Sequence, residues 1–182
     1  TNEDDVTHRL GIVKFSGNES DQIGNDTYRS DGNTYNYSQV VQDLTSATGN
    51  VQSLKNTVNE LAAAGSTRTD FGLNQAQRVL DGDRQHGLGG AREEAKQVVV
   101  VFTDGEPSTF SNWSGGVAAN AVNLAKDLKD DKVTVYTIGM FEDADPSDTD
   151  GRFNKYMNGV SSNYPNAEVT NWRGDRTQDW DD

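Results

Sequence analysis

One run of apolar, β-branched residues constrains the fold of this chain more than any other feature. Residues 97–103 read Gln-Val-Val-Val-Val-Phe-Thr, and a carboxylate, Asp104, and a turn glycine, Gly105, follow at once. A continuous apolar run is typical of a parallel strand that is covered on both faces. The last side chain of such a strand reaches the rim of the sheet, where ligands and metals bind in open α/β folds. Asp104 is therefore the first candidate functional residue.

The rest of the chain alternates between strand and helix patterns. We predict strands at residues 8–15, 37–45 (a short edge strand), 133–139 and 167–169. Helical spacing predicts helices from Asn50 to Gly65, from Asp70 to Gly82, through residues 117–128 and through residues 153–160. Residues 16–36 have few apolar side chains and are predicted to form an exposed loop. This alternation predicts an α/β fold with a Rossmann-like, mostly parallel sheet and helices on both faces.

The composition excludes several classes of function. A formal net charge of −13 would repel nucleic acid and anionic membranes, and it favours cationic partners and divalent metals. The chain has no cysteine, which excludes disulfides, thiolate metal sites and thiol catalysis. It has no apolar run of about 18 residues, so we expect no membrane insertion within it. We predict a single domain over residues 1–182, because this length is enough for one well-buried core.

Two segments of the sequence could meet at one rim of the predicted sheet. Residues 65–70 read Gly-Ser-Thr-Arg-Thr-Asp and precede a helix, whereas residues 103–106 read Thr-Asp-Gly-Glu and end a strand. Hydroxyl and carboxylate oxygens are the hard ligands that Mg²⁺ prefers in an octahedral shell that usually keeps some water. Two protein oxygens alone would make a poor site, so further ligands are needed from elsewhere.

The same two segments carry a resemblance to a known family. Gly-Ser-Thr-Arg-Thr-Asp-Phe-Gly-Leu (65–73) and Val-Val-Val-Val-Phe-Thr-Asp-Gly-Glu (98–106), at this separation, resemble the von Willebrand factor type A (vWA) domain. The resemblance extends to the predicted strands at 8–15 and 133–139 and so covers most of the chain. Residues 153–167 further resemble the versions found in surface adhesins and pilus-tip proteins of Gram-positive bacteria.

What this resemblance implies is a metal-ion-dependent adhesion site (MIDAS) at the carboxyl edge of the sheet. In the family, Mg²⁺ or Mn²⁺ is held by an Asp-x-Ser-x-Ser motif, a threonine and an aspartate, and an acidic group of the partner completes the shell. By motif position the threonine is Thr67 and the aspartate is Asp104, which would act through water. A metal with an open position attracts a partner carboxylate, so an acidic protein could hold an acidic ligand.

The sequence departs from the family at one important point, because it contains no Asp-x-Ser-x-Ser. In the family that motif ends the first strand, which lies in the middle of the sheet between the strands predicted here at 8–15 and 97–103. We therefore expect this chain to be an internal portion, with the first strand, its helix and the closing helix outside it or on a companion chain. A protein that lost the motif but kept the fold is the alternative.

The function implied by the resemblance is adhesion at a cell surface or cell wall, outside the cell. The expected partner is a host or neighbouring-cell surface protein or a glycan, bound through an acidic group. Glu106 lies close enough to the rim to modulate this binding, and Trp113 is a candidate anchor whose indole could equally pack over its loop. No enzymatic activity is expected, since neither His8 nor His86 has a triad spacing. A metal-free assembly module of a pilus or stalk and a metal-dependent hydrolase are the alternatives.

Two further segments have simpler interpretations. The acidic stretch from Glu142 to Asp150 does not have the register of a calcium-binding EF-hand loop and is predicted to be a solvated loop. Residues 173–175 spell Arg-Gly-Asp, an integrin-binding tripeptide that a chain of this composition also produces by chance.

Overall fold

The computed structural model describes residues 7–109, 112–140, 145, 147–148 and 151–170. Within them the elements follow the order β1 (Arg9–Lys14), β2 (Thr27–Ser30), β3 (Asn33–Asn36), β4 (Gln39–Ser46), α1 (Val51–Asn59), α2 (Thr69–Asp81), β5 (Val98–Thr103), α3 (Gly115–Asp130), β6 (Thr134–Gly139) and α4 (Arg152–Val160). A short 3-10 helix, Arg84–His86, lies between α2 and β5. The predicted α/β class is confirmed. No helix in this part of the chain is long and apolar enough to cross a bilayer.

The strands form three separate two-stranded pairs across the described residues. β5 and β6 are parallel, in an unbroken register from Val98 opposite Thr134 to Thr103 opposite Gly139. β1 and β4 are antiparallel, with irregularities on either side of Ile12. No backbone ladder joins β1 to β5 in the region that the structure describes. The gap lies between the two strands that, by the resemblance, should flank an absent central strand.

The main hydrophobic core lies between the β5–β6 pair and three helices. Strand alternation turns Val99 and Val101 of β5 toward this core, and leaves Val98, Val100 and Phe102 exposed on the opposite face. The helices contribute side chains that are almost fully buried, among them Leu73 of α2, Ala118, Ala121, Val122, Ala125 and Leu128 of α3, and Tyr156 and Val160 of α4. Helices therefore cover one face of this pair, whereas both faces were predicted to be covered; the other face is open within the described residues.

The region predicted as an exposed loop, residues 16–36, contains a β-hairpin. β2 and β3 pair in register, with Tyr28 opposite Tyr35, and the two rings stack with centroids 5.5 Å apart. The turn is Asp31-Gly32, whose φ angles are 50° and 80°. Asp-Gly favours this turn because both of its central residues need positive φ. The Asp-Gly dipeptide between two tyrosines is a hairpin signal. The prediction of a loop missed it because it considered only the small number of apolar residues.

The first helix is shorter than its apolar periodicity predicts. α1 ends at Asn59 instead of continuing toward Gly65. Beyond it the backbone carbonyls of Ala62 and Ala64 accept hydrogen bonds from the Asn36 side chain and the Ser16 hydroxyl, at 2.5 Å each. These tertiary bonds hold residues 62–64 along a non-helical path next to Ser16 and Asn36, so the chain leaves the helix early.

The predicted final strand, residues 167–169, is reduced in the described residues to a single β-bridge residue, Glu168. The amide group of Asn123 on α3 bonds both the N–H and the C=O of Val169, at 2.8 and 3.2 Å. The Val169 backbone is thus satisfied by a side chain. Most of the acidic stretch 142–150 and the Arg-Gly-Asp tripeptide at 173–175 lie outside the described residues.

A buried hydroxyl pair joins the start of α2 to α4. The Tyr156 hydroxyl donates to Thr69 Oγ1 at 2.5 Å, and the Tyr156 side chain is completely buried. Burial raises the pKa of Tyr156 well above its usual range, so the phenol stays protonated and acts as a donor.

We predict that Tyr156→Phe destabilises the fold by about 1–2 kcal/mol, because it removes a buried hydrogen bond and leaves the Thr69 hydroxyl without this partner. Urea denaturation measures the loss. Tyr136→Phe is the matched control, because Tyr136 is 57% exposed, and its effect should stay within about 0.5 kcal/mol. Equal effects of the two substitutions would contradict a stabilising role for this bond.

Candidate metal and ligand site

Two loops come together at the carboxyl end of β5. The Ser108 backbone N–H donates to the Thr67 carbonyl oxygen at 3.0 Å, and the Thr67 N–H donates to Ser108 Oγ at 3.1 Å. The Ser66 hydroxyl donates to the Thr109 carbonyl oxygen at 2.5 Å. These three bonds join the loop before α2 to the loop after β5, which is the meeting that the sequence predicted.

The loop before α2 is shaped by one glycine and one ion pair. Gly65 has a φ of 116°, and a Cβ there would lie 2.5 Å from Ser16 Oγ, so only glycine fits. The Arg68 guanidinium makes a bidentate pair with Asp70 at 2.8 Å and lies 3.4 Å from the centroid of the Phe71 ring. Asp70 is almost fully buried and lies in the first turn of α2, where a carboxylate also faces the positive end of the helix dipole.

The start of α2 differs by one residue from the prediction. A helix that begins at Asp70, as predicted from the sequence, would place Thr69 at its cap and Asp70 in its first turn. Arg68 occupies the cap position, no side chain caps the helix, and Thr69 is the first helical residue. Because the Thr69 hydroxyl is directed into the core toward Tyr156, it is committed to packing rather than to capping.

The Thr67 hydroxyl lies against the turn that presents Asp104. A Cβ built on Gly105 would lie 3.2 Å from Thr67 Oγ1, so a side chain larger than glycine would press on this hydroxyl. The turn itself is held by Thr103, whose hydroxyl donates to the Gly105 carbonyl oxygen at 3.1 Å and accepts from its N–H at 3.3 Å. Asp104 is exposed, and within the described part of the chain its carboxylate has no hydrogen bond or ion pair. The Thr67 hydroxyl and the Asp104–Gly105 turn are thus neighbours.

The donor chemistry fits part of a magnesium shell. Mg²⁺ commonly binds through one or two protein carboxylates while keeping several waters, and an exposed carboxylate on a turn next to a hydroxyl suits that mode. Across residues 7–109, 112–140, 145, 147–148 and 151–170, no cluster of three or more acidic or imidazole side chains is arranged around a common point. Thr67 and Asp104 can therefore provide two ligands, and the remainder must be water or other groups.

Glu106 and Trp113 are linked by a residue that sequence reasoning missed. The Arg152 guanidinium binds the Glu106 carboxylate, with its shortest contact at 2.7 Å, and lies 4.7 Å from the centroid of the Trp113 ring. Trp113 is only partly exposed and meets Tyr156 edge to face, with ring centroids 6.0 Å apart. The indole thus contributes to packing, and its role as a ligand anchor stays a prediction. Arg152 is separated from Glu106 by 46 positions, so no local pattern could have revealed the pair.

The comparisons with known proteins agree with this architecture. The family model described as the von Willebrand factor type A domain matches residues 3–173. Neither the search of curated proteins nor the search of solved structures returned a match. Because the family model covers nearly all of the 182 residues, this chain belongs to the von Willebrand factor type A domain family.

Proposed function

We propose that this protein is an extracellular adhesion module that holds an acidic partner through a divalent metal at the carboxyl end of β5. The observation that carries the proposal is the position of the Thr67 hydroxyl against the Asp104–Gly105 turn, whose exposed Asp104 carboxylate has no partner among the described residues. Family membership supports a protein-interaction role in general. The cell-surface setting and the kinship with adhesins and pilus-tip proteins of Gram-positive bacteria rest on the resemblance of residues 153–167.

In this proposal Asp104 and Thr67 supply oxygen ligands to Mg²⁺ or Mn²⁺, with Asp104 acting through water. The bound metal supplies the positive charge that attracts a carboxylate of the partner. The remaining shell consists of water and of groups beyond the described residues, because the Asp-x-Ser-x-Ser motif is absent from the sequence. Glu106 and Trp113 lie on the proposed ligand face, with Arg152 between them.

We propose binding rather than catalysis. A hydrolase would need a base or nucleophile close to Asp104. His86 instead lies beyond the far end of α2, where its Nδ1 is 2.7 Å from Asp83 Oδ2. The hydrogen bonds from Arg78 and His86 lower the pKa of Asp83 to about 2, so this carboxylate is a stable anion of a surface network.

A metal-free assembly module is the second candidate function. It is favoured by the absence of a cluster of three or more acidic or imidazole groups in the described residues. It is also favoured by the engagement of Glu106 with Arg152, which leaves one fewer free carboxylate at the rim. Metal titration separates the two candidates.

We expect Mg²⁺ and Mn²⁺ to bind saturably in calorimetric titration, and Asp104→Ala to abolish this binding because the charged ligand is lost. Thr67→Val, which keeps the shape but removes the hydroxyl, should weaken binding by roughly tenfold. Asp131→Ala is the control, since Asp131 is an exposed acid at the far end of α3. Absence of binding by either ion, or equal binding by Asp104→Ala, would remove the metal site and leave the assembly module.

We expect Arg152→Ala to tighten Mg²⁺ binding by roughly twofold at low ionic strength, because it removes a positive charge and frees the Glu106 carboxylate near the metal. The gain should vanish at about 1 M salt, where charges are screened beyond about 3 Å. Lys126→Ala changes the net charge equally but acts on α3, where Lys126 pairs with Asp130, and should leave the affinity unchanged. The same gain in both variants would point to net charge rather than to this pair.

A further inference from the structure

A buried lysine held by neutral groups lies at the end of β1. Lys14 is only 9% exposed, although lysine is rarely buried without a partner of opposite charge. Its Nζ donates to Asn25 Oδ1 at 2.7 Å and to the Asp26 carbonyl oxygen at 2.8 Å. Burial lowers the pKa of Lys14, and the charge of Asp26 opposes this shift only in part. A larger fraction of Lys14 is therefore the neutral amine, which is a nucleophile.

The Asn25 amide is held with its carbonyl toward this amine. Its Oδ1 accepts the bond from Lys14, whereas its Nδ2 donates to the Glu60 carbonyl oxygen at 3.1 Å. The amide carbon Cγ is bonded to Oδ1, so a small rotation of the lysine side chain brings Nζ onto this carbon. Fixed groups whose reacting atoms are about 3–3.5 Å apart need no bimolecular encounter. Lys14 and Asn25 are thus positioned for attack of the amine on the amide carbon.

A buried glutamine fixes the acid of this cluster. Gln39 lies opposite Lys14 in the β1–β4 ladder and is fully buried. Its Nε2 donates to Asp26 Oδ2 at 2.8 Å, and its Oε1 accepts from the Asp26 N–H at 2.8 Å. The carboxylate held in this way acts electrostatically on the Lys14 ammonium. It can therefore take up the proton that the ammonium must lose before it reacts.

We propose that Lys14 and Asn25 join through an isopeptide bond, a self-formed cross-link between β1 and the loop that precedes β2. The Lys14 ammonium gives one proton to Asp26, and the lone pair of Nζ forms a bond to Asn25 Cγ. The bond from Cγ to Nδ2 then breaks, and Nδ2 leaves as ammonia with a proton from the attacking nitrogen. The proton held by Asp26 passes to solvent. One C–N bond replaces another, so the reaction needs no oxidant, reductant or co-reactant.

The cross-link would anchor the β2–β3 hairpin in a chain that has no cysteine for a disulfide. It closes a loop between residues 11 positions apart, and such a closure restricts the unfolded chain as a disulfide does. The hairpin begins two positions after Asn25 and contacts the segment before α2, because the Asn36 N–H donates to the Ala64 carbonyl oxygen at 3.1 Å. The bond therefore supports the surroundings of the candidate metal site, but it forms whether or not a metal binds.

Intact-mass spectrometry of the purified chain tests the proposal. We expect a mass that is lower than the mass of the sequence by one molecule of ammonia. A tryptic digest should contain a branched peptide that joins Lys14 to Asn25. Trypsin should not cut after Lys14, because its amine is acylated. Both measurements use the unmodified protein, so neither depends on the folding of a variant.

Substitutions identify the reacting groups. Lys14→Arg keeps the positive charge but supplies a guanidinium that stays protonated and is a poor nucleophile. This variant and Asn25→Ala should each have the full mass of their own sequence and a lower midpoint of thermal unfolding than the unmodified chain. Asp26→Ala should lower the fraction of cross-linked molecules. Lys126→Arg is the matched control, since Lys126 pairs with Asp130 on α3, and it should keep the loss of ammonia.

Two results would overturn the proposal. An unmodified chain that keeps the full mass of its sequence after prolonged incubation at neutral pH would leave only a hydrogen bond between Lys14 and Asn25. A loss of ammonia that persists in Lys14→Arg would assign it to a cyclic imide at an asparagine instead. Circular dichroism shows whether each variant is folded.

Discussion

The parallel pairing of β5 with β6 is the interaction on which the rest of this structure depends. Its inward side chains, Val99 and Val101 on β5 and Val135 on β6, pack against α3 and α4 and create the main core. The same strand ends at Asp104, and its residues Val98 to Val101 line a cavity beside β1. Core, candidate metal site and cavity thus all involve one apolar run of the sequence.

Hydrogen bonds between the two loops of the candidate site, and a further bond from α2 to α4, fix the position of these loops. The reciprocal bonds between Thr67 and Ser108 set the separation of the loops. The start of α2, one residue beyond Arg68, is fixed to α4 by the Thr69 and Tyr156 hydroxyls. Because binding groups work best on a rigid support, this coupling keeps the Thr67 hydroxyl beside the turn that carries Asp104.

The two carboxylates at the rim, Glu106 and Asp104, differ in whether a positive charge pairs with them. Glu106 is bound by Arg152, which also lies over Trp113. Asp104 has no such partner in the described residues. On an acidic protein an exposed carboxylate without an ion-pair partner favours a cation, and a bound cation could then attract an acidic partner. The proposed role for Asp104 rests on this contrast.

The sequence predicted secondary structure well wherever apolar periodicity marks a helix or a strand. The sequence predicted α2, α3, α4 and β5, because a stripe of buried side chains marks each of them. It also predicted that residues 65–70 meet residues 103–106, because these segments lie at the ends of α2 and β5. The hairpin of β2 and β3 was missed because its signal is turn chemistry, Asp31-Gly32, rather than apolar content. Arg152 could not be predicted as the partner of Glu106, since a contact across 46 positions leaves no local trace.

The sequence by itself determined the α/β class, the strand that ends at Asp104 and the chemistry of the candidate site. Only the tertiary structure decided where α1 ends, because the bonds of Ala62 and Ala64 come from Asn36 and Ser16. It also decided that within residues 167–169 only Glu168 is in a β-bridge, while Asn123 binds both backbone groups of Val169. In both cases distant polar side chains bind the backbone of a segment that local propensity predicts as helix or strand, and such bonds depend on the assembled fold.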